Sequence, residues 1–521
     1  MSHIESELKL RLVDHDKLDE LLEFLKELNP ESPRNESLKT TYYDTSDYRF
    51  LKSGLSYRLR TSQTGIIATV KTDGQSDGGL HQRLEFNVPV CDELPDIKPF
   101  LLTPVGERLR AALEDKDLIP VCSTAFSRHA LDLTVPDGSE IELAVDCGEI
   151  TASQKMEPIL EIELELKKGS NLSLIKLGAE FSRKFPLLIE LDSKLARALA
   201  LAGIADKFLK DAERAAPIID RFEKEAALSH TAALLIYLIH QTVNKHQAFL
   251  LNRDCPPALH RLRIALRKLR TILSFAKPVL AGDEFEKHQA ALKEFSLMFG
   301  ELRDFDDLEE AWHNFAESSC RISRKTAENT RPLSALLAKV RKKDTAKLKL
   351  HRLLSTGWAT PIFLEIWVWL EEQIIKEKCE EASQSLGKFT KERLREWLEE
   401  FIQNIDELDI AASDSKQIYK ARILNRRIYY VLSLFSPVLN KHTQKLTGAM
   451  KKMQNNLGLI RDAELSLLKL SDFIKPNAAR ELYYDAGLFA GSQAAISKCA
   501  EKDFVKLRRK VKKISRKWLA R

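Results

Sequence analysis

The chain has 521 residues, 44% hydrophobic and 30% charged, enough to bury more than one core and too apolar for a disordered polymer. No stretch approaches the roughly eighteen apolar residues of a membrane span, no signal-peptide hydrophobic run opens the chain, and seven scattered cysteines without a CxxC pair argue against disulfides or structural zinc. The expectation is a cytoplasmic protein with reduced thiols and no membrane partner. The net charge of +6 hides a division: residues 1–200 carry 25 Lys+Arg and 35 Asp+Glu (net −10), and residues 201–521 carry 57 and 41 (net +16). A basic half of this kind invites a polyanion such as nucleic acid, polyphosphate or a membrane surface.

In chain order, "IESELKLRL" (4–12) places Glu5, Glu7, Lys9 and Arg11 on one parity and Ile4, Leu8, Leu10 and Leu12 on the other, the period of a β-strand with one apolar and one ionic face. "TTYYDT", "LSYRLRT", "GIIATVKT", "HQRLEFNVPV", "AFSRHALDLTV", "SEIELAVDCGEI" and "ILEIELELKKG" repeat the pattern between turn residues. Arg58 and Arg60 oppose Tyr57 and Leu59, Lys71 opposes Val70, and Arg83, Glu85 and Asn87 oppose Leu84, Phe86 and Val88. Glu140, Glu142 and Asp146 oppose Ile141, Leu143 and Val145; Glu161, Glu163 and Glu165 oppose Ile162, Leu164 and Leu166. Two architectures fit: an open sheet with its ionic face in water, or a barrel with its ionic face inside. Interior charges are expensive unless paired, hydrated or ligand-bound, which favours the open sheet. The segregation of sign, with Glu161/Glu163/Glu165 purely acidic and Arg58/Arg60 purely basic, favours the barrel, where carboxylates would hold hard cations and arginines would grip phosphate.

After about residue 205 the strands give way to helical periodicity, as in "AALLIYLIHQTVNKHQAFLL" and "IFLEIWVWLEEQIIKEKC". The boundary is expected inside "KDAERAAPIIDRF", giving domains at 1–205 and 221–521 with a linker at 206–220. In "HRLRIALRKLR" (260–270), His260, Arg263, Arg267 and Arg270 share one helical stripe, with Lys268 beside it, and leucines occupy the opposite face. "YKARILNRRIY" (419–429) repeats the arrangement with Tyr419, Arg422, Arg426, Arg427 and Tyr429. "FGELRD" and "LGLIRD" follow at matching offsets, placing Arg303 and Arg461 in equivalent positions, so the half is an internal duplication. Most charged stripes are simply solvated. Two copies with almost no acid interleaved make an anion surface the better reading, although Arg303–Asp304 and Arg461–Asp462 suit interhelical ion pairs equally. The final "KDFVKLRRKVKKISRKWLAR" has apolar residues at core spacing and further basic faces.

Glu5-x-Glu7-x-Lys9, followed in order by "YYDT", "GLSYRLR", "ATVK", "GGLHQRLEFNV", "SEIELAVDCGEI", "EPILEIELEL" and "DSKLARAL", resembles the CYTH superfamily, the triphosphate tunnel metalloenzymes, over residues 1–205. The resemblance implies an α+β domain with an eight-stranded antiparallel β-barrel tunnel, followed here by an all-α duplicated bundle. It implies triphosphate contacts from Arg58, Arg60, Lys71, Arg83, Glu85, Arg128 and Lys194, with Lys9 beside them. It further implies Mg²⁺ or Mn²⁺ on Asp146, Glu161 and Glu163, with Glu5 and Glu7 holding a second metal and its water as catalytic groups. The basic half resembles the CHAD domain, which implies long-chain polyphosphate on His260, Arg263, Arg267, Lys268, Arg270, Arg303, Arg422, Arg426, Arg427 and Arg461; Tyr419 stands where the first copy has histidine. The expected function is an inorganic triphosphatase splitting tripolyphosphate into pyrophosphate and phosphate. The rivals are a non-catalytic polyphosphate-binding protein and a tunnel enzyme for another triphosphate (thiamine triphosphate, a nucleotide, or adenylyl cyclase chemistry). Nucleic acid is disfavoured because aromatics are sparse along the basic stripes.

Overall fold

The computed structural model describes residues 2–29, 33–204, 227–252, 255–299, 308–318, 331–343, 345–378, 385–408, 415–439, 443–474 and 479–520. The expected linker at 206–220 and Arg303 lie outside them. The chain divides into two compact units. The first contains the strands, and residues 239–244 and 353–371 group with it; the second comprises the remaining helices.

The first unit is built from β1 (Ser2–Leu12), α1 (Leu18–Leu28), β2 (Arg34–Asp44), the single turn α2 (Arg49–Lys52), β3 (Leu55–Ser62), β4 (Gly65–Thr72), β5 (Gln75–Asp77), β6 (Leu80–Val90), α3 (Gly106–Leu113), β7 (Ile119–Thr134), β8 (Glu140–Ala152), β9 (Lys155–Lys168), α4 (Asn171–Lys184), β10 (Leu187–Ile189) and α5 (Lys194–Leu201). Eight strands run antiparallel in the order β1-β9-β8-β7-β2-β3-β4-β6, and β1 returns to pair with β6, closing a barrel. The seam uses both halves of β1: Glu5 lies opposite Arg83 on β6, and Lys9 lies opposite Glu163 on β9. Strand alternation gives each residue parity one side of the wall, and closure puts the ionic parity inside.

The apolar parity faces outward into two coats. Phe50, Phe100, Val105 and Leu109 from the segments around α2 and α3 cover Tyr57, Leu59, Val70 and Phe86 of β3, β4 and β6. On the other side α4 lies so close to β1 that a Cβ on Gly178 would stand 2.5 Å from the Leu8 side chain. Asp44 fixes the turn after β2, its carboxylate accepting from the backbone N–H groups of Thr45, Phe50 and Leu51 at 2.7, 2.9 and 3.0 Å. At one end of the barrel Ala198 and Leu195 of α5 pack against Leu38, Tyr42, Phe126, Ile150 and Ile159, residues of the inward parity, so this end is filled with apolar side chains.

The second unit is all helical among the described residues, with long members at Pro256–Leu280, Leu386–Glu407, Ser415–Leu434, Thr443–Phe473 and Arg480–Leu519. Phe275 anchors its core, its ring 5.5, 5.2 and 5.4 Å from those of Phe389, Trp397 and Phe435. Among the described residues no single helix is long and apolar enough to cross a membrane.

Candidate functional site

The barrel encloses a cavity of about 260 Å³ whose wall includes Glu5, Glu7, Lys9, Arg58, Arg60, Lys71, Arg83, Glu85, Arg128, Glu163 and Lys194. Eleven residues singled out in the sequence thus reach one chamber. Asp146 and Glu161 lie just behind it, fully buried and paired with residues of the wall.

Buried charge survives here because most interior carboxylates lie within ion-pair distance of a cation, usually from another strand or from α5. Lys194, the first residue of α5, reaches Asp146 at 2.8 Å, Glu161 at 2.9 Å and Glu163 at 2.8 Å. Arg128 on β7 grips Asp146 on the neighbouring strand in a fork, Nε–Oδ1 2.7 Å and Nη2–Oδ2 2.8 Å, and extends to Glu163 at 2.5 Å. Lys9 pairs with Glu163 and, at 3.0 Å, with Glu7. Toward the other side, Lys71 meets Glu5 at 2.6 Å and Glu85 at 2.9 Å, Arg83 meets Glu7 at 3.0 Å, and Arg58 meets Glu85 at 3.4 Å.

These contacts set the protonation states. Burial opposes ionisation of Glu163, but Lys194, Lys9 and Arg128 together hold it well below the usual carboxylate range. Asp146 is held down against burial by Arg128 and Lys194. Glu7 stays at about 2 because Lys9 outweighs burial and the repulsion of Glu163. Glu5 behaves differently: burial, with Glu7 and Glu85 alongside, raises it to about 7 despite Lys71. Arg60 is the cationic counterpart. Burial, together with the like charges of Arg58 and Arg128, pushes it down to about 10; it enters no ion pair among the described residues and donates only to Thr40 Oγ1 at 3.3 Å. Beside it, Arg58 Nε is buried without a hydrogen-bond partner among the described residues.

Several participants escaped the sequence reading. Arg197, three residues beyond Lys194 on α5, holds Glu161 and also bonds Glu157 at 2.7 Å; its i, i+3 spacing from Lys194 was the available signal. Lys167, exposed near the end of β9, borders the cavity and pairs with Glu165 at 2.8 Å and Glu142 at 3.5 Å. Tyr42 also lines the chamber. His81, which follows Gly78–Gly79 closely in sequence, lies within β6, opposite Glu7. It is buried there, and burial and nearby Lys9 lower it to about 4.

In the helical unit the two basic helices approach one another, since burial and the charge of Arg427 both depress Arg270. His260 and Arg427 are exposed, and Arg263, Arg267, Lys268, Arg422, Arg426 and Arg461 are half-buried. Part of this surface is neutralised: Arg422 pairs with Asp462 at 3.0 Å and Arg461 with Glu464 at 2.8 Å.

A closed antiparallel barrel whose interior carries both signs of charge is thus joined in sequence to a basic helical bundle. The CYTH domain model matches residues 3–199 and the CHAD domain model residues 235–470; the chain is a CYTH domain followed by a CHAD domain. An inorganic triphosphatase of Haemophilus influenzae is 34% identical over 156 residues, a stretch covering 29% of this chain and 42% of that protein. Among solved structures, the CHAD domain from the plant Ricinus communis shares 22% identity with a TM-score of 0.41, covering 53% of this chain and 89% of that one. The PH1819 protein from Pyrococcus horikoshii shares 18% identity with a TM-score of 0.25, covering 38% of this chain and 99% of that one.

Proposed function

We propose that this protein is a divalent-metal-dependent inorganic triphosphatase, hydrolysing tripolyphosphate to pyrophosphate and phosphate in the barrel, with the helical domain binding long-chain polyphosphate. Arg60 is the observation that carries the reading of the barrel. A guanidinium with no carboxylate in ion-pair contact among the described residues, depressed by burial and then by the like charges of Arg58 and Arg128, gains charge balance when an anion arrives. A linear triphosphate supplies charge along its whole length, which suits a wall lined on several strands by Arg58, Arg60, Lys71, Arg83, Arg128 and Lys194.

The donor set also suits Mg²⁺ or Mn²⁺. Among the described residues no three His, Cys, Asp or Glu converge as a dedicated metal cage, but Mg²⁺ ordinarily takes only one or two carboxylates and completes its shell with substrate phosphate oxygens and water. The interior donors are carboxylate oxygens, and Glu5, raised to about 7 by burial with Glu7 and Glu85 alongside, is the carboxylate of the group that ionises least readily until a cation arrives. Glu5 and Glu7, and Asp146, Glu161 and Glu163, are the groups that would hold the ions. When bound, a divalent cation supplies Lewis acidity toward phosphate oxygens and water.

The remaining work falls to the protein's own side chains. The terminal phosphorus is shielded by its own negative oxygens, so the arginines and lysines must draw that charge off before water can attack in line. In doing so they exchange carboxylate partners for phosphate oxygens. Pyrophosphate leaves with its growing charge held by the same cations, and Glu5 and Glu7 would orient the attacking water.

Phosphate release from tripolyphosphate, thiamine triphosphate and ATP, each with and without Mg²⁺ or Mn²⁺, tests the reading. Metal-dependent turnover strongest on tripolyphosphate is expected, with loss of turnover in the Glu161→Gln/Glu163→Gln double variant. Absence of release from tripolyphosphate with either metal overturns the enzymatic reading in favour of a receptor.

A further inference from the structure

The last helix, Arg480–Leu519, lies beyond the matched CHAD segment. Its final turns bury Phe504, Val511, Ser515 and Trp518 against the bundle. At 100° per residue, Lys502, Lys506, Arg509, Lys510, Lys513 and Lys517 fall within an arc of about 100° opposite that buried face, over about 22 Å of helix. All six are exposed, and none enters an ion pair among the described residues.

Two other cations of the segment are paired elsewhere, and a third faces acidic residues. Lys512 pairs with Asp406. Arg508 donates to the backbone carbonyls of Ile405 and Leu408 at 3.4 and 3.1 Å. Arg516 shares a groove with Glu399, Asp406 and Glu407. Asp503 is the one acid at the margin of the arc.

The antiparallel neighbour, Thr443–Phe473, is fixed against this helix by Asn456 Nδ2 donating to the Ala500 carbonyl at 2.9 Å and Trp518 Nε1 to Thr443 Oγ1 at 3.3 Å. Its first turns, residues 443–455, contain no acid and expose Lys445, Lys451 and Lys452.

We infer that this stripe is a second polyphosphate-binding surface, separate from the paired basic helices at 256–280 and 415–434; the inference rests on the polyphosphate reading of the helical domain. The density of unpaired cations matches an unbroken line of anionic oxygens. The arc offers no aromatic ring for stacking bases and no Asn or Gln for reading their edges. Its apolar face is buried in the bundle, so it has nothing to insert into a membrane. A featureless phosphate chain is the occupant that asks for nothing beyond charge.

The test measures binding of long-chain inorganic polyphosphate to the full-length protein across a salt series. It compares the parent, the variant Lys506→Gln/Arg509→Gln/Lys510→Gln/Lys513→Gln, and the variant Arg263→Gln/Arg267→Gln. Losing four contacts should reduce the slope of log K against log[salt] by about 3, at about 0.7 per contact for a single-stranded polyanion. Unchanged far-UV circular dichroism and unchanged tripolyphosphate hydrolysis certify the fold of the helix variant. A parental slope in that variant, with a reduced slope in the Arg263/Arg267 variant, overturns the second surface and leaves the polyphosphate reading standing. No binding by the parent overturns both. An equal loss of affinity for single-stranded DNA of similar charge overturns the choice of polyphosphate as occupant.

Discussion

Replacing Arg60 by methionine, which keeps length and removes charge, should stabilise the substrate-free barrel while weakening its hold on substrate. At neutral pH Arg60 is charged in both folded and unfolded chains, so lowering it from 12.5 to about 10 penalises only the folded state. At 1.36 kcal/mol per pH unit that penalty is about 3 kcal/mol, reduced by solvent screening because the side chain is only partly buried. The substitution also removes the bond to Thr40 and the guanidinium contact with the Phe126 ring, 5.9 Å from its centroid, each worth about 1 kcal/mol or less. The net gain is about 1 kcal/mol, or a rise of about 2–4 °C for a domain of this size. Thermal unfolding without metal, with and without tripolyphosphate, reads both effects. In the parent the ligand should raise the midpoint; in Arg60→Met a lost charge-assisted contact of about 1.5–3 kcal/mol should remove most of that rise. A variant that melts lower than the parent when free, or gains as much from tripolyphosphate, refutes the claim that Arg60 is an unpaired cation awaiting phosphate.

Arg197→Met should act in the opposite direction, leaving buried Glu161 with Lys194 as its remaining cation; loss of one partner of a buried pair costs about 3–5 kcal/mol, read as a lower midpoint that added tripolyphosphate does not restore. In the helical unit, burial lowers His246 and His288 to about 4. Nearby His351 adds to the first effect, Lys287 adds to the second and Glu284 opposes it. Since both histidines accept protons more readily when unfolded, their contribution is present above pH 6.5 and is lost as pH falls toward 4. Asp485, raised by burial, pulls the other way at the acid end. A thermal midpoint flat between pH 7 and 4 would contradict this, and His288→Gln should shallow the slope. Asp462→Asn removes the acid paired with Arg422, so polyphosphate binding should tighten several-fold at low salt; weaker binding would place the ligand elsewhere.

Alternation made the strands readable, because a residue's parity assigns its face without knowledge of its partners. It did not say which face was inside. That depended on β1 pairing at once with β6 and β9, the long-range contacts of Glu5 with Arg83 and Lys9 with Glu163, which local periodicity does not encode; the family resemblance supplied it. The chamber's charged lining was legible for the same reason that its ion-pair partners were not: strand parity brings Arg128 and Asp146 to one side, while their pairing follows from register. Arg197 stands in "DSKLARAL" with no charged neighbour nearer than Lys194, and its partner Glu161 is brought to it only by the fold.

The seam through β1 also governs when this site comes into existence. Strand Ser2–Leu12 must find Leu80–Val90 and then Lys155–Lys168, the latter separated from it by most of the domain, so the cylinder cannot shut until β9 has been synthesised. Such contacts impose a large loop-closure cost and make for slow folding. Until then Glu5, Glu7 and Lys9 belong to an edge strand with one side unpaired, and a nascent chain interrupted before β9 has neither the enclosure nor the charge balance that its chemistry requires.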